Sequence, residues 1–309
     1  MAKLPDEHVR EKPAREESRA DHPESQTERK VEREEEDKEY LPVILKRSDE
    51  AVRHPDDILE NAINEGLEQL ERPPLSLFLS AMAAGLILGF TAMAVAVVQS
   101  HAMAMGPEYF ARLAIALVYP LGFILCIMSG TQLFTEHTAT AVYPVLDQRG
   151  KVIDLLRLWV LIIAGNLIGA VLSSGLLVLG DEVVHARKGY IEIGLHLVNF
   201  GSGSLFTSAL LAGWLMALGA WLVMATQPTL SQMVSIYIVT FIIGLGELHH
   251  SIAGSVEIFT AYFISDQFSL GQVCRFIGVA ILGNMVGGSI FVALLNYAHI
   301  RQTQIKKQD

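Results

Sequence analysis

The chain changes character near residue 74. Beyond that point apolar residues gather into six segments, at roughly 75–98, 113–145, 153–179, 205–226, 231–263 and 272–298. A straight membrane-spanning helix needs about 20 residues. Every segment is long enough, and the second and fifth are too long for one simple span. Both are also interrupted. The second carries Ser129-Gly130-Thr131-Gln132, and the fifth carries Gly244-Leu245-Gly246-Glu247 followed by two histidines. Backbone freed from a helix cannot face lipid, so breaks at membrane depth line a cavity or lie within protein. The pattern predicts an all-α polytopic membrane protein with six transmembrane helices, the second and fifth broken around Gly130 and Gly246.

Before residue 74 the pattern is different. Residues 1–40 are rich in Glu, Arg, Lys and Asp with almost no large apolar residue, a composition that buries too little surface to fold alone. A charged, largely disordered tail is predicted over 1–55. Within 56–71, Ile58, Leu59, Ala62, Ile63, Leu67 and Leu70 fall near one helical face, with Asp56 and Asp57 as caps and Pro73-Pro74 as the break. An amphipathic helix over 56–72 is predicted, lying on the membrane surface or on the bundle. A transmembrane transport domain over 73–300 and a short tail over 301–309 complete the organisation.

Composition agrees with a membrane protein: 51% of residues are hydrophobic and the mean hydropathy is +0.38. Residues 1–74 hold 13 Lys/Arg and 22 Asp/Glu, whereas the rest hold 10 and 11, so the net charge of −10 belongs almost entirely to the tail. Lys46, Arg47, Arg53 and Arg72, then Arg149, Lys151 and Arg157, then Arg301, Lys306 and Lys307 share one side if six segments span. That side is cytoplasmic by the excess of positive charge, which puts both termini in the cytoplasm of a bacterial inner membrane. Arg187 and Lys188 run against the trend. No secretory signal is visible, so the first membrane helix is expected to direct insertion. Cys126 and Cys274 lack CxxC or Cys/His spacing and read as small buried hydrophobes. No metal, cofactor or nucleic-acid partner is expected.

The chain repeats itself. Ser80 to Gly85 (SAMAAG) resembles Ser208 to Gly213 (SALLAG), and Gly165 to Ala170 (GNLIGA) resembles Gly283 to Gly288 (GNMVGG). The breaks fall between these pairs. Three spans per half require the halves to insert in opposite senses, an inverted 3+3 repeat of aquaporin-like architecture. Paired broken helices point to a transport site.

Glu247, His249, His250 and Ser251 lie beside the second break, where ionisable groups are expensive and usually functional. Neighbouring helical residues point about 100° apart, so a helix there turns only one histidine toward a narrow pathway, with the other pairing with Glu247 or meeting an interface. Thr135 follows the first break much as Ser251 follows the second. Two readings stand at this level: related hydroxyls donating to an anion, or hydroxyls bonded back to their own helix. Asn166 and Asn284 are expected to hydrogen-bond between helices or to the freed backbone, and the neighbouring glycines to permit close packing. Glu136 and His137 read as a solvated pair at the membrane face. Glu257 reads either as an acid near the surface or as a paired one.

Taken together these residues resemble the formate/nitrite transporter family over about residues 56–300. The similarity lies in Gly122 to Cys126 and Gly130 to Thr135 around the first break, in His250-Ser251-Ile252-Ala253 at the second, and in Gly165-Asn166, Gly283-Asn284 and Trp221. The resemblance implies a homopentamer with a pore in each subunit and transport of a small monovalent anion or its protonated acid. It makes His250 the central pore histidine and Thr135 its partner. It puts Tyr119 and Phe123 at one hydrophobic constriction and Ile243 near the other. The chain departs from the family at Gly254 and Gly213, where asparagines are usual, at Leu197, where a vestibule lysine is usual and His196 is adjacent, and in having His249.

The alternative reading is a channel for small neutral solutes, but the paired Asn-Pro-Ala motifs of the aquaporin architecture are absent. An intramembrane enzyme would need a nucleophile with a positioned base, and Ser251 beside His250 in sequence does not supply one. A regulatory protein using its acidic tail is a further possibility.

Overall fold

The structure, a computed structural model, describes residues 54–101 and 108–308; the tail expected over 1–55 therefore lies almost entirely outside the described residues. Among the described residues the regular structure is helical. Five helical stretches are long and apolar enough to cross a membrane: Pro74–Ser100, Tyr109–Met128, Val152–Val184, Ser202–Ala225 and Leu270–Thr303. The fifth segment, read from sequence as broken around Gly246, is a pair of shorter apolar helices, Thr229–Leu245 and Ser251–Ile264.

In chain order the helices are α1 (Pro55–Glu71), α2 (Pro74–Ile87), α3 (Gly89–Ser100), α4 (Glu108–Val118), α5 (Pro120–Met128), the short α6 (His137–Thr140) and α7 (Tyr143–Leu146), α8 (Val152–Val184), α9 (Arg187–Val198), α10 (Ser202–Ala225), α11 (Thr229–Leu245), α12 (Ser251–Ile264), α13 (Leu270–Gly288) and α14 (Leu295–Gln308). A π-turn over Ser289–Leu294 joins the last two. The final helix runs past residue 300, so the short tail expected at 301–309 is largely helical. The stretch between the third and fourth apolar segments contains α9, whose polar N-terminal half hid its periodicity behind Arg187, Lys188 and Glu192.

α1 docks on the bundle rather than lying free on a membrane surface. Leu59, Ala62 and Ile63 are buried against Ala139, Tyr143, Ala217, Val292 and Ile300. Its cap is His54, whose ring Nδ1 accepts from the Asp56 N–H at 3.3 Å, not Asp56 or Asp57. Arg149 bridges Glu60 of α1 (2.8 Å) and Asp147 (2.8 Å), and Arg301 donates to Asp147 at 2.6 Å. Basic residues of two of the flanks noted in the sequence, Arg149 and Arg301, therefore meet on Asp147 beside α1. Arg187 is spent internally, donating to the Ile264 carbonyl.

The two halves of the chain are held together by matching devices. Gly165 and Gly169 of α8 press on the backbone of α2, and Gly283 and Gly287 of α13 press in the same way on α10. An added Cβ at Gly85 would sit 2.2 Å from the Asn166 carbonyl oxygen, and at Gly213 it would sit 2.3 Å from that of Asn284. Backbone approach this close is the use of small residues in membrane helix pairs. At Gly213 it leaves no room for a side chain of any kind. Cys126 is buried as expected, but Cys274 is exposed on α13, because the apolar outer face of a membrane helix looks the same in sequence as an inner one.

Candidate functional site: a cavity ending at the helix breaks

Each break ends its helix in the same way. After α5, the Gly130 N–H bonds the Ile127 carbonyl and the Thr131 N–H bonds that of Cys126; after α11, Glu247 bonds Gly244 and Leu248 bonds Ile243. This is a Schellman closure, which puts one residue in the left-handed region. That residue is Gly130 (φ +68°) in the first half and Glu247 (φ +49°) in the second. Gly246, marked as the second break from sequence, is ordinary right-handed backbone at the cap.

Beyond each turn the freed peptides are held by an asparagine. Asn166 donates to the Ala81 (2.7 Å) and Gln132 (2.8 Å) carbonyls and accepts from the Phe134 N–H (2.9 Å). Asn284 donates to the Ala209 (2.6 Å) and His249 (3.1 Å) carbonyls and accepts from the Ser251 N–H (2.7 Å). Both asparagines are fully buried. They answer the cost of unpaired backbone in an apolar interior.

These clamps also set the register between halves. Gln132 matches His249, Phe134 matches Ser251, and His250 takes the place of Leu133. Thr135 and Ser251 are therefore not equivalent, contrary to the sequence reading. One residue of slip arises because the turn glycine of the first half corresponds to Glu247, not Gly246. The structure brings Thr135 to His250, the partner that the family resemblance names for it: its hydroxyl lies 2.7 Å from Nε2. Ser251 is buried, and its hydroxyl has no hydrogen-bond partner among the described residues.

His250 caps α12. Its Nδ1 accepts from the N–H groups of Ile252 and Ala253, both at 3.2 Å. With Nδ1 accepting, the ring proton of the neutral imidazole sits on Nε2 and points at Thr135. Phe123 packs edge-on against the ring at 4.9 Å and tilts against Tyr119 at 5.2 Å.

Residues 248–250 are not helical, so His249 and His250 diverge for a different reason from the one the sequence suggested. His249 turns away from the cavity. It takes a hydrogen bond with Ser208 (2.8 Å) and stacks on His196 at 6.2 Å between ring centres. Glu247 pairs not with His249 but with Arg112 (3.5 Å) and His196 (3.4 Å).

A cavity of about 420 Å³ opens between these elements. Arg112, Glu192, His196 and Glu247 line it, with Tyr119, Ile243, His250, Gly254 and Glu257. Tyr119 and Ile243 were expected at opposite constrictions. They line one cavity, because the α11 backbone at Gly244 packs directly on the Tyr119 side chain. Phe123 is fully buried behind Tyr119. Glu192 was missed because it lies between the apolar segments read from the sequence, His196 was noted only as the neighbour of Leu197, and Arg112 falls just before the second segment at 113–145. Glu257 is buried, with no ion-pair or hydrogen-bond partner among the described residues, which neither sequence alternative foresaw. His137 is also buried and Glu136 half-buried, rather than solvated at a membrane face. An asparagine at Gly254 would collide with Phe276, whose ring carbon lies 2.5 Å from an added Cβ. Among the described residues no group of three or more His, Cys, Asp or Glu is arranged to hold a metal ion.

Comparison with known proteins matches this arrangement to one family. The family model described as formate/nitrite transporter matches residues 56–298. The chain is 30% identical over 257 residues to the inner membrane protein YfdC of Escherichia coli K12, covering 81% of this chain and 80% of that protein. A solved FNT family ion channel superposes with a TM-score of 0.68 at 20% identity, over 79% of this chain and 98% of that one. A pentameric formate channel with formate bound superposes with a TM-score of 0.62 at 21% identity, over 74% and 97%. The fold is thus that of these channels, and membership of a transporter family sets aside the intramembrane enzyme. From the paired breaks, the asparagine clamps and the match over 56–298, it follows that the chain belongs to the formate/nitrite transporter family.

Proposed function

We propose that the protein moves a small monovalent anion, or its protonated acid, across a bacterial inner membrane through a pore in each subunit of a homopentamer. The observation that carries this reading is the Thr135–His250 pair, 2.7 Å apart, with His250 lining the inner wall of the cavity. The solved pentameric formate channel gives the assembly and the substrate class their precedent. The halves, with three spans each, enter the membrane in opposite senses, and the converging basic flanks mark the cytoplasmic end.

The pair suits a dry passage. A bare anion leaving water loses solvation worth several kcal/mol even after relaxation, on the order of the penalty for burying any single ion. His250 donates from Nε2 to Thr135, so the threonine hydroxyl offers its own proton to the solute. An anion is thereby met by a hydrogen-bond donor without a fixed countercharge, which would hold it too tightly to release. Tyr119 and Phe123 keep water from the ring on the cavity side, while Ile243 supplies apolar wall.

Stopped-flow flux in proteoliposomes tests this, with formate, nitrite, acetate and glycerol against empty liposomes. Protein-dependent flux of the acids, lost by at least about tenfold in Thr135→Val and His250→Phe, is the expected result. Glycerol flux without acid flux overturns the reading in favour of a neutral-solute channel.

A further inference from the structure

The His250 ring is committed. Its Nδ1 holds two backbone N–H groups and its Nε2 faces Thr135. A second proton on Nδ1 would point at those two donors and undo the cap of α12. If a solute is to be neutralised before it passes, the proton has to come from another group.

α12 carries such a group on the same face. His250, Gly254 and Glu257 stand at i, i+4 and i+7, and all three line the cavity. Gly254 stands between the imidazole and the carboxyl on the cavity wall, with the Phe276 ring 2.5 Å from where its Cβ would sit. Glu257 is 6% exposed. A carboxylate buried without a countercharge is costly, so such a group carries a proton or waits for a positively charged visitor.

The groups around it are few. Its own segment contributes His250. α4 contributes Arg112 and Tyr119, and Arg112 is already bonded to the Leu245 carbonyl at 2.7 Å and to Glu247 at 3.5 Å. α9 contributes Glu192 and His196, and Glu247 follows α11. From α8, which packs on the other side of α12, Ser174 bonds the Val256 carbonyl and brings no charge. The cavity therefore holds three carboxyl groups and one guanidinium, a poor place for an anion to remain an anion.

We propose that Glu257 is the proton donor of the pathway and the residue that decides the charge state in which a solute passes His250. The assignment rests on the small-anion reading above. A weak-acid anion enters the cavity, the Glu257 O–H bond breaks, and its proton forms a new O–H bond on the solute oxygen. The neutral acid moves on past Thr135 and His250. The electron pair left on Glu257 is a carboxylate, which takes a proton back from hydronium in the cavity and meanwhile repels the next anion. The residue thus couples passage to acid on the cavity side.

The test is formate flux in proteoliposomes across acidic to alkaline pH, with the wild type, Glu257→Gln and Glu257→Asp. Expected is wild-type flux that rises as pH falls, a loss of at least about tenfold of that acid-driven part in Glu257→Gln, and its recovery in Glu257→Asp. Infrared difference spectra should show a protonated-carboxyl band in the wild type that is absent in Glu257→Gln. This readout does not depend on transport. Wild-type flux matched by Glu257→Gln in rate and pH profile overturns the proton-donor role and leaves the small-anion reading intact. Absence of wild-type formate, nitrite and acetate flux overturns both. Methylammonium flux abolished in Glu257→Gln overturns the donor role in favour of a cation site.

Discussion

At the scale of single residues, the decisive contacts are those that tie loose backbone. Asn284 secures the Ser251 N–H and the His249 carbonyl on either side of His250. Removing it strands buried polar groups, each at about 1–3 kcal/mol. Asn284→Ala should lower the thermal midpoint in detergent by several degrees and depress flux together with it. Thr135→Ser, which keeps the hydroxyl, should by contrast retain most of the transport activity. A smaller strain sits at Glu247, a non-glycine residue in left-handed backbone, where only glycine is at ease. The contacts of Glu247 with Arg112 and His196 give a reason for keeping it. Sequence singled out most of these residues by type, since histidines and asparagines among apolar neighbours are conspicuous. Spacing equated the position of Thr135 with that of Ser251, because distance from a glycine is a poor ruler when the second turn uses a glutamate in the glycine's place.

At the scale of elements, close packing of α2 on α8 and of α10 on α13 leaves no room for a side chain. Gly213→Asn, restoring the residue usual in the family, is expected to cost about 3 kcal/mol, because the obstruction is the Asn284 backbone, not a movable side chain. Thermal unfolding of that variant beside the wild type checks it. α1 offers a pH-dependent contact outside the membrane spans. Burial, and next the neighbouring Glu68, push the Glu65 carboxyl above the usual carboxylate range. A carboxyl that binds its proton more tightly when folded stabilises the fold at acid pH, and that contribution declines as pH rises through the interval between its ordinary and raised values. The docking of α1 should therefore weaken toward neutral pH. Hydrogen-exchange protection of α1, taken relative to the intrinsic amide rate at each pH, should rise on acidification in the wild type and stay flat over that interval in Glu65→Gln.

At the scale of the whole molecule, large apolar residues are turned outward along the spans, Leu176, Leu179 and Val183 of α8 among them. Such surface needs lipid or neighbouring subunits around it. Native mass spectrometry from mild detergent should find five times the 33.9 kDa chain mass; a stable monomer that still transports would overturn the pentamer. The outward face was also where sequence was least informative. An apolar residue facing lipid and one facing the core have the same composition, which is why Cys274 was misjudged.

The sequence by itself determined the class of the protein. Six apolar stretches, two of them too long and broken by glycine, admit little but a polytopic helical membrane protein, because backbone cannot stay unpaired in hydrocarbon. The repeated glycine and asparagine motifs already announced two similar halves. Only the tertiary structure decided how the halves register, that Tyr119 and Ile243 share a wall, that α9 brings Glu192 and His196 to the cavity, and that Glu257 faces it without a hydrogen-bond or ion-pair partner among the described residues. Those are contacts between residues far apart in the chain. Periodicity and spacing report only the local preference of a segment for its surroundings, whereas which surfaces meet is set by the packing of every helix against the others.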